Sequence, residues 1–165
     1  MVERDQVDDI VAAWRTELPE AAGPQLGLGK RVHKLADLFN QALDPLLSEH
    51  GVTKVEYAVL ATLRAAGAPY RLKPGALSKY LVITTGGISN VLIRLADNGL
   101  VTREPDPADR RSSWVQLTPR GVSLSETLAK GAAEAQGALI EPLSPAATQK
   151  LTDLLREALI ILERR

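Results

Sequence analysis

The chain has 165 residues, 45% hydrophobic and 24% charged, with 20 acidic against 20 basic side chains and no cysteine. That length can enclose one substantial core, and the composition excludes global disorder and a fibrous repeat. Without cysteine there is no disulfide framework, no thiol-based oxidation sensing and no cysteine-ligated zinc or iron–sulfur site, so stability rests on packing. The first residues, Met1-Val2-Glu3-Arg4-Asp5, are charged and followed by no apolar leader, and no apolar run approaches the length of a bilayer span. A cytoplasmic protein with no membrane partner is expected.

Taken in chain order, Val7, Ile10, Val11, Trp14 and Leu18 recur at helical spacing before Pro19, and predict a short amphipathic helix. Ala21 to Gly29, rich in Gly and Pro, reads as a loop. From Lys30 to Glu49 a wide apolar stripe predicts a long helix stopped by His50-Gly51. Thr53-Lys54-Val55-Glu56 has the capping-box spacing and opens a third helix to Ala66-Gly67. Pro74 suits the first turn of a short helix through Leu81, and Thr84 or Thr85 can cap a further helix to Asn98, with Gly99 at its exit.

Two segments then favour strand, Leu100 to Glu104 and Ser113 to Leu117, and the turn formers Pro105 to Arg111 between them predict a β-hairpin. Thr118-Pro119 and Ser144-Pro145 each supply a cap and a first-turn proline for two closing helices, the last striped by Leu151, Leu154, Leu155, Ala158 and Leu162. The fold class is mainly α with one small β-hairpin, in the order of a winged helix-turn-helix with helical flanks.

Net charge is zero, but the charge is unevenly spread. Residues 1–29 hold two basic and six acidic side chains, whereas residues 71–111 hold seven basic and four acidic ones. A polyanion is therefore repelled by the N-terminal end and drawn to the middle of the chain. A helix of about twelve residues fits the major groove of DNA, and a basic hairpin beside it can reach phosphates and the neighbouring minor groove. At the start of that helix Gly86 and Gly87 leave backbone amides open to a phosphate, and Thr84, Thr85, Ser89 and Asn90 offer short polar groups to base edges. Ile88, Leu92 and Leu95 are spaced to face a core, and Arg94 is a surface or phosphate-facing residue.

Two stretches carry a family resemblance. One is Thr84-Thr85-Gly86-Gly87-Ile88-Ser89-Asn90 with Ile93-Arg94-Leu95-Ala96-Asp97-Asn98-Gly99-Leu100-Val101; the other is Asp106-Pro107-Ala108-Asp109-Arg110-Arg111 followed by Val115-Gln116-Leu117-Thr118-Pro119-Arg120-Gly121. With them the chain resembles the multiple antibiotic resistance regulator (MarR) family from its second helix to its end. The resemblance implies a sequence-specific DNA-binding transcriptional regulator, a repressor relieved by a small-molecule effector. It also implies that Arg110 or Arg111 enters the minor groove with Asp109 orienting it; an Asp109–Arg111 ion pair that only shapes the turn is the alternative. In the family the terminal helices interlock across a two-fold axis, which implies a homodimer on double-stranded DNA, at a pseudo-palindromic operator with half-sites roughly 10 base pairs apart. The expected organisation is N-terminal dimerisation helices over 1–50, the winged helix-turn-helix over 51–118 and C-terminal dimerisation helices over 119–165.

The extra first helix with Trp14 is similar to the branch with urate-responsive members, which surround the ligand with a tryptophan, an acid and two arginines. This chain keeps Trp14 and Arg103 but has Ala58 and Val91 at the other two places. An anionic purine would lack its charge partners, so a more apolar ligand such as a small aromatic or apolar acid, or no ligand at all, suits better, with Trp14, His33, Tyr57, Arg103 and Trp114 as candidate lining groups. His33 and His50 have no second ligand at metal spacing, so no metal and no cofactor is expected. No nucleophile elbow, phosphate loop or Rossmann fingerprint is present, so no enzyme is expected, and the rival reading is a winged-helix module that binds protein instead of DNA.

Overall fold

The computed structural model describes residues 3–81, 85–106 and 109–164, with the backbone only for Thr85 and residues 109–112. Among the described residues are seven α-helices and three strands. The chain divides into two compact units, Met1–Ala42 and Leu43–Arg165.

The first unit begins with α1 (Gln6–Glu17). Asp5 caps it by accepting from the amides of Val7 and Asp8, and Asp8 returns the bond to the Asp5 amide, closing a capping box. After a 3-10 turn (Pro19–Ala21), α2 runs over Pro24–Glu49 and continues through the unit boundary. The loop expected over Ala21 to Gly29 is therefore short, and Gly27 and Gly29 are helical. Pro24 stands at the first helical position, where its missing N–H costs nothing. A β-carbon at Gly27 would stand 3.1 Å from Arg31 Nη1 and 3.6 Å from a Val11 methyl, so close packing of α1 on α2 outweighs the weak helix propensity of glycine. Arg31 ties the two helices, donating to Asp5 at 2.9 Å and to Asp8 at 2.8 Å.

The second unit takes over at Leu43. α2 ends in a Schellman motif: Gly51 sits at φ 63°, its amide bonds the Ser48 carbonyl, and the Val52 amide bonds the Leu47 carbonyl. Thr53 and Glu56 form the expected capping box of α3 (Lys54–Ala65). A two-residue strand, β1 (Arg71–Leu72), then enters α4 (Pro74–Leu81), and α5 covers Thr85–Asp97. α5 ends like α2, with Gly99 at φ 66° and the Leu100 amide bonded to the Leu95 carbonyl at 2.9 Å.

β2 (Val101–Asp106) and β3 (Asp109–Leu117) form the hairpin, and β1 adds to the far edge of β3, giving the antiparallel order β1-β3-β2. Both strands outrun the expectation on the turn side, β2 reaching Asp106 and β3 starting at Asp109, so the connection predicted over Pro105 to Arg111 is shorter than expected. Pro105 is tolerated because β2 is an edge strand, and the register breaks beside it, between Pro105 and Asp106. β1 has no sequence signature, since two residues are too few to show alternation.

α6 (Pro119–Ile140) and α7 (Pro145–Leu162) follow, capped by Thr118 and Ser144 as the sequence predicts. The core joins α3, α4 and α5 to the sheet and to α6, with Leu60, Leu63, Leu77, Ile88, Leu92, Val115 and Leu128 wholly buried. No residue of α7 is buried, and its Leu154, Leu159, Ile161 and Leu162 are each more than half exposed.

Candidate nucleic-acid interface

α5 is held by its inner face. Ile88 and Leu92 are wholly buried and Leu95 is 1% exposed, which leaves the opposite face to solvent. Gly86 and Asn90 are exposed there, and Gly87, Ser89 and Val91 are half-buried. A β-carbon at Gly86 would meet nothing within 4 Å, so the first turn of the helix is open at that position. Of the remaining residues predicted to meet DNA, Thr84 lies outside the described residues. So do the side chains of Thr85, Asp109, Arg110 and Arg111, although the backbone of the latter three belongs to β3.

Arg94 does not stand free on the outer face. Its Nε lies 3.2 Å from Oε1 of Glu56, a carboxylate only 3% exposed. The N–H is not aimed at that oxygen, so the contact is an ion pair without a hydrogen bond. Glu56 Oε2 meanwhile accepts from the amide and the hydroxyl of Thr53, at 2.8 and 2.7 Å. One buried carboxylate thus caps α3 and faces α5. The capping-box spacing identifies half of this role; the other half spans 38 residues of sequence and leaves no local pattern.

The exit of α5 is clamped as well. Thr118 donates its hydroxyl to the Gly99 carbonyl at 2.8 Å, and Arg120 donates to the Asn98 carbonyl at 3.0 Å. These bonds satisfy carbonyls that a helix end leaves without partners.

On the sheet, alternation puts Trp114 and Gln116 on one face with Arg71, Thr102 and Glu104, while Val115 and Leu117 face the core. The Arg71 guanidinium lies 4.8 Å and the Lys73 ammonium 5.2 Å from the Trp114 ring, within cation–π range. Lys73 also pairs with Asp106 at 2.7 Å. Trp114, a candidate ligand group from sequence, is therefore a seat for two cations. Neither Lys73 nor Asp106 stands out in the sequence as a site residue, because their pairing depends on the hairpin folding back towards α4.

The other four candidate effector residues fall in different places. Trp14 on α1 is 41% exposed. His33 is exposed on α2, its Nδ1 2.8 Å from the Gly29 carbonyl, and it lines a cavity of about 540 Å³ with Gln6, Ile10, Lys30, Lys34 and Leu38. That cavity includes neither Trp14, Tyr57 nor Arg103. Tyr57 is half-buried on α3, and burial pushes its phenol above the ordinary value, so it stays neutral. Arg103 is exposed on β2, its guanidinium 3.5 Å from the Ser113 hydroxyl. Among the described residues no group of three or more His, Asp or Glu could hold a metal, and no single helix is long and apolar enough to cross a membrane.

A helix pair whose second member is buried on one face and open on the other, with an antiparallel hairpin packed alongside, defines a winged helix-turn-helix protein. The family model described as the MarR family matches residues 50–112. The HTH-type transcriptional regulator PecS of Dickeya dadantii is 33% identical over 91% of this chain and 90% of its own length. Two solved structures share the fold with DNA bound. One is a MarR family transcriptional regulator of Streptomyces coelicolor in complex with DNA, with TM-score 0.74 and 29% identity over 85% of this chain and 92% of that one. The other is a mutant MarR of E. coli complexed with operator DNA, with TM-score 0.73 and 26% identity over 88% of this chain and 97% of that one. The chain belongs to the MarR family of transcriptional regulators.

Proposed function

We propose that a homodimer of this chain binds a pseudo-palindromic operator, places α5 in the major groove and the hairpin wing at the adjacent minor groove, and represses transcription. The observation that carries the reading is the two-sidedness of α5: an apolar face sunk in the core and an outer face of small and polar residues, Gly86, Gly87, Ser89 and Asn90, able to approach base edges. Arg110 and Arg111, at the end of the hairpin in sequence, supply the charge for a narrow minor groove, with Asp109 as the orienting acid. Thr84 and Thr85 add polar groups at the start of α5. Arg94 acts in this scheme chiefly through Glu56, with its outer nitrogens left for a phosphate.

Dimerisation is assigned to the terminal helices. The unpartnered apolar face of α7 supports this, since a solvated helix with Leu154, Leu159, Ile161 and Leu162 exposed has no reason to carry them. The proposed effector is a small acid with an aromatic or apolar body. The cavity beside His33 suits one, with Val7, Ile10, Leu35 and Leu38 as its apolar wall and Lys30 and Lys34 as charge partners.

The test is a selection from random duplex DNA followed by titration of the winning site at several salt concentrations. An inverted repeat is expected, with log affinity falling linearly against log salt. Replacing both Arg110 and Arg111 with Ala should weaken binding to every duplex and reduce the salt slope by about one per lost phosphate contact. Failure to enrich any sequence, with no duplex bound even in dilute buffer, would favour a winged-helix module that binds protein.

A further inference from the structure

We propose that Lys73 is a positioning residue for DNA binding: through its ion pair with Asp106 and its seat on Trp114 it braces the wing against the helix pair. The inference rests on the reading of the wing as a DNA contact.

Three observations converge on this one side chain. Lys73 immediately precedes α4, and its carbonyl accepts from the amides of Ala76 and Leu77 at 2.9 and 3.1 Å, so its backbone belongs to the first turn of the helix pair. Its ammonium lies 2.7 Å from Oδ2 of Asp106, the last residue of β2 and only 6% exposed. The same ammonium stands 5.2 Å from the ring of Trp114 on β3. One residue at the foot of α4 thus touches both strands of the hairpin.

The position along the hairpin gives the contact its leverage. The hairpin enters the core at its base, where Val101, Val115 and Leu117 are buried. At that same level β1 pairs with β3 for two residues, Arg71 opposite Gln116 and Leu72 opposite Val115. Beyond that, the register breaks between Pro105 and Asp106. A hairpin braced towards its outer end pivots less than one anchored at its base, and a displacement of even 1 Å is enough to spoil a site that must meet two grooves at once. Lys73 braces the outer end. A charge pair with one buried member is a firm brace, because its attraction is stronger where water is largely excluded than at an open surface. Its charge is also largely spent on Asp106, so it is a poor candidate for a direct phosphate contact.

The test uses the full chain with Lys73→Met, Lys73→Arg, the double variant Arg110→Ala with Arg111→Ala, and the combination of Lys73→Met with that pair. Tryptic cleavage after Arg110 or Arg111 in the DNA-free protein, located by fragment mass, reads the wing directly. Lys73→Met should raise that rate roughly tenfold at an unchanged melting temperature, since cleavage follows the population of the open form. Lys73→Arg, which keeps both contacts, should restore the parent rate. Lys73→Met should also weaken operator binding, and that loss should shrink to within about twofold once Arg110 and Arg111 are gone, as coupled sites require. Unchanged cleavage, or the same loss of affinity in both backgrounds, overturns the brace. Parent-like operator binding by the double variant, alongside faster cleavage in Lys73→Met, overturns the wing reading and the positioning role while upholding the physical brace.

Discussion

Gly121 presses against the backbone of Leu100: a β-carbon at Gly121 would lie 2.0 Å from the Leu100 carbonyl oxygen and 3.0 Å from its carbonyl carbon. The contact joins the first turn of α6 to the exit of α5. It is reinforced by the Thr118 amide, which bonds the same carbonyl oxygen at 3.1 Å, and by the Thr118 hydroxyl on Gly99.

Substituting Gly121 with Ala must push α6 away from this junction, because backbone atoms cannot yield as the end of a flexible side chain can. Gly121→Ala is expected to destabilise by about 1–3 kcal/mol, despite adding a residue of higher helix propensity. Thermal unfolding checks the sign: a melting temperature equal to or above that of the parent would show that the junction relaxes freely.

On α5, the inner and outer faces should separate cleanly by measurement. Leu92→Ala removes a wholly buried side chain and should cost roughly 2–5 kcal/mol of stability. Asn90→Ala, on the exposed side, should leave stability within about 0.5 kcal/mol while relaxing the base preference of the selected operator. Denaturant unfolding and repeated DNA selection on each variant distinguish the two effects.

The link between α1 and α2 should weaken in acid. The side-chain hydrogen bond from Arg31 is the main reason the Asp5 carboxyl sits below its ordinary value of 3.8. A carboxylate with a depressed folded-state pKa contributes stability that is fully present above the unfolded value and is lost as pH falls through the folded one. The same protonation turns the acceptor of the Val7 and Asp8 amides from a charged into a weaker neutral one, so the cap of α1 loosens with the bridge. Hydrogen exchange along α1 should therefore accelerate, beyond its intrinsic pH dependence, as pH drops below about 4. Arg31→Met should flatten that response, and an unaltered profile in the variant would refute the assignment.

α7 offers a test of the dimer that leaves the reader intact. Leu155→Lys with Leu162→Lys changes two exposed positions, so the monomer's own core loses nothing. Light scattering should report a shift to the monomer, and operator affinity should fall towards that of a single half-site. A variant that still scatters as a dimer would move the interface elsewhere.

Much of this molecule is written in local chemistry. Thr53 with Glu56, Thr118 with Pro119, and Ser144 with Pro145 mark helix starts, and Gly51 and Gly99 mark helix ends, because capping is settled by residues within a few positions of one another. The spacing of Ile88, Leu92 and Leu95 likewise separates the buried from the open face of α5 without reference to anything distant. Tertiary structure decided what depends on partners far along the chain. Gly27 became helical because α1 packs on it, β1 exists only because β3 offers it an edge, and Arg94 and Lys73 were claimed by Glu56 and Asp106. Periodicity records which face of an element is apolar, but the partner of a charge is chosen by which segments the fold brings together in space.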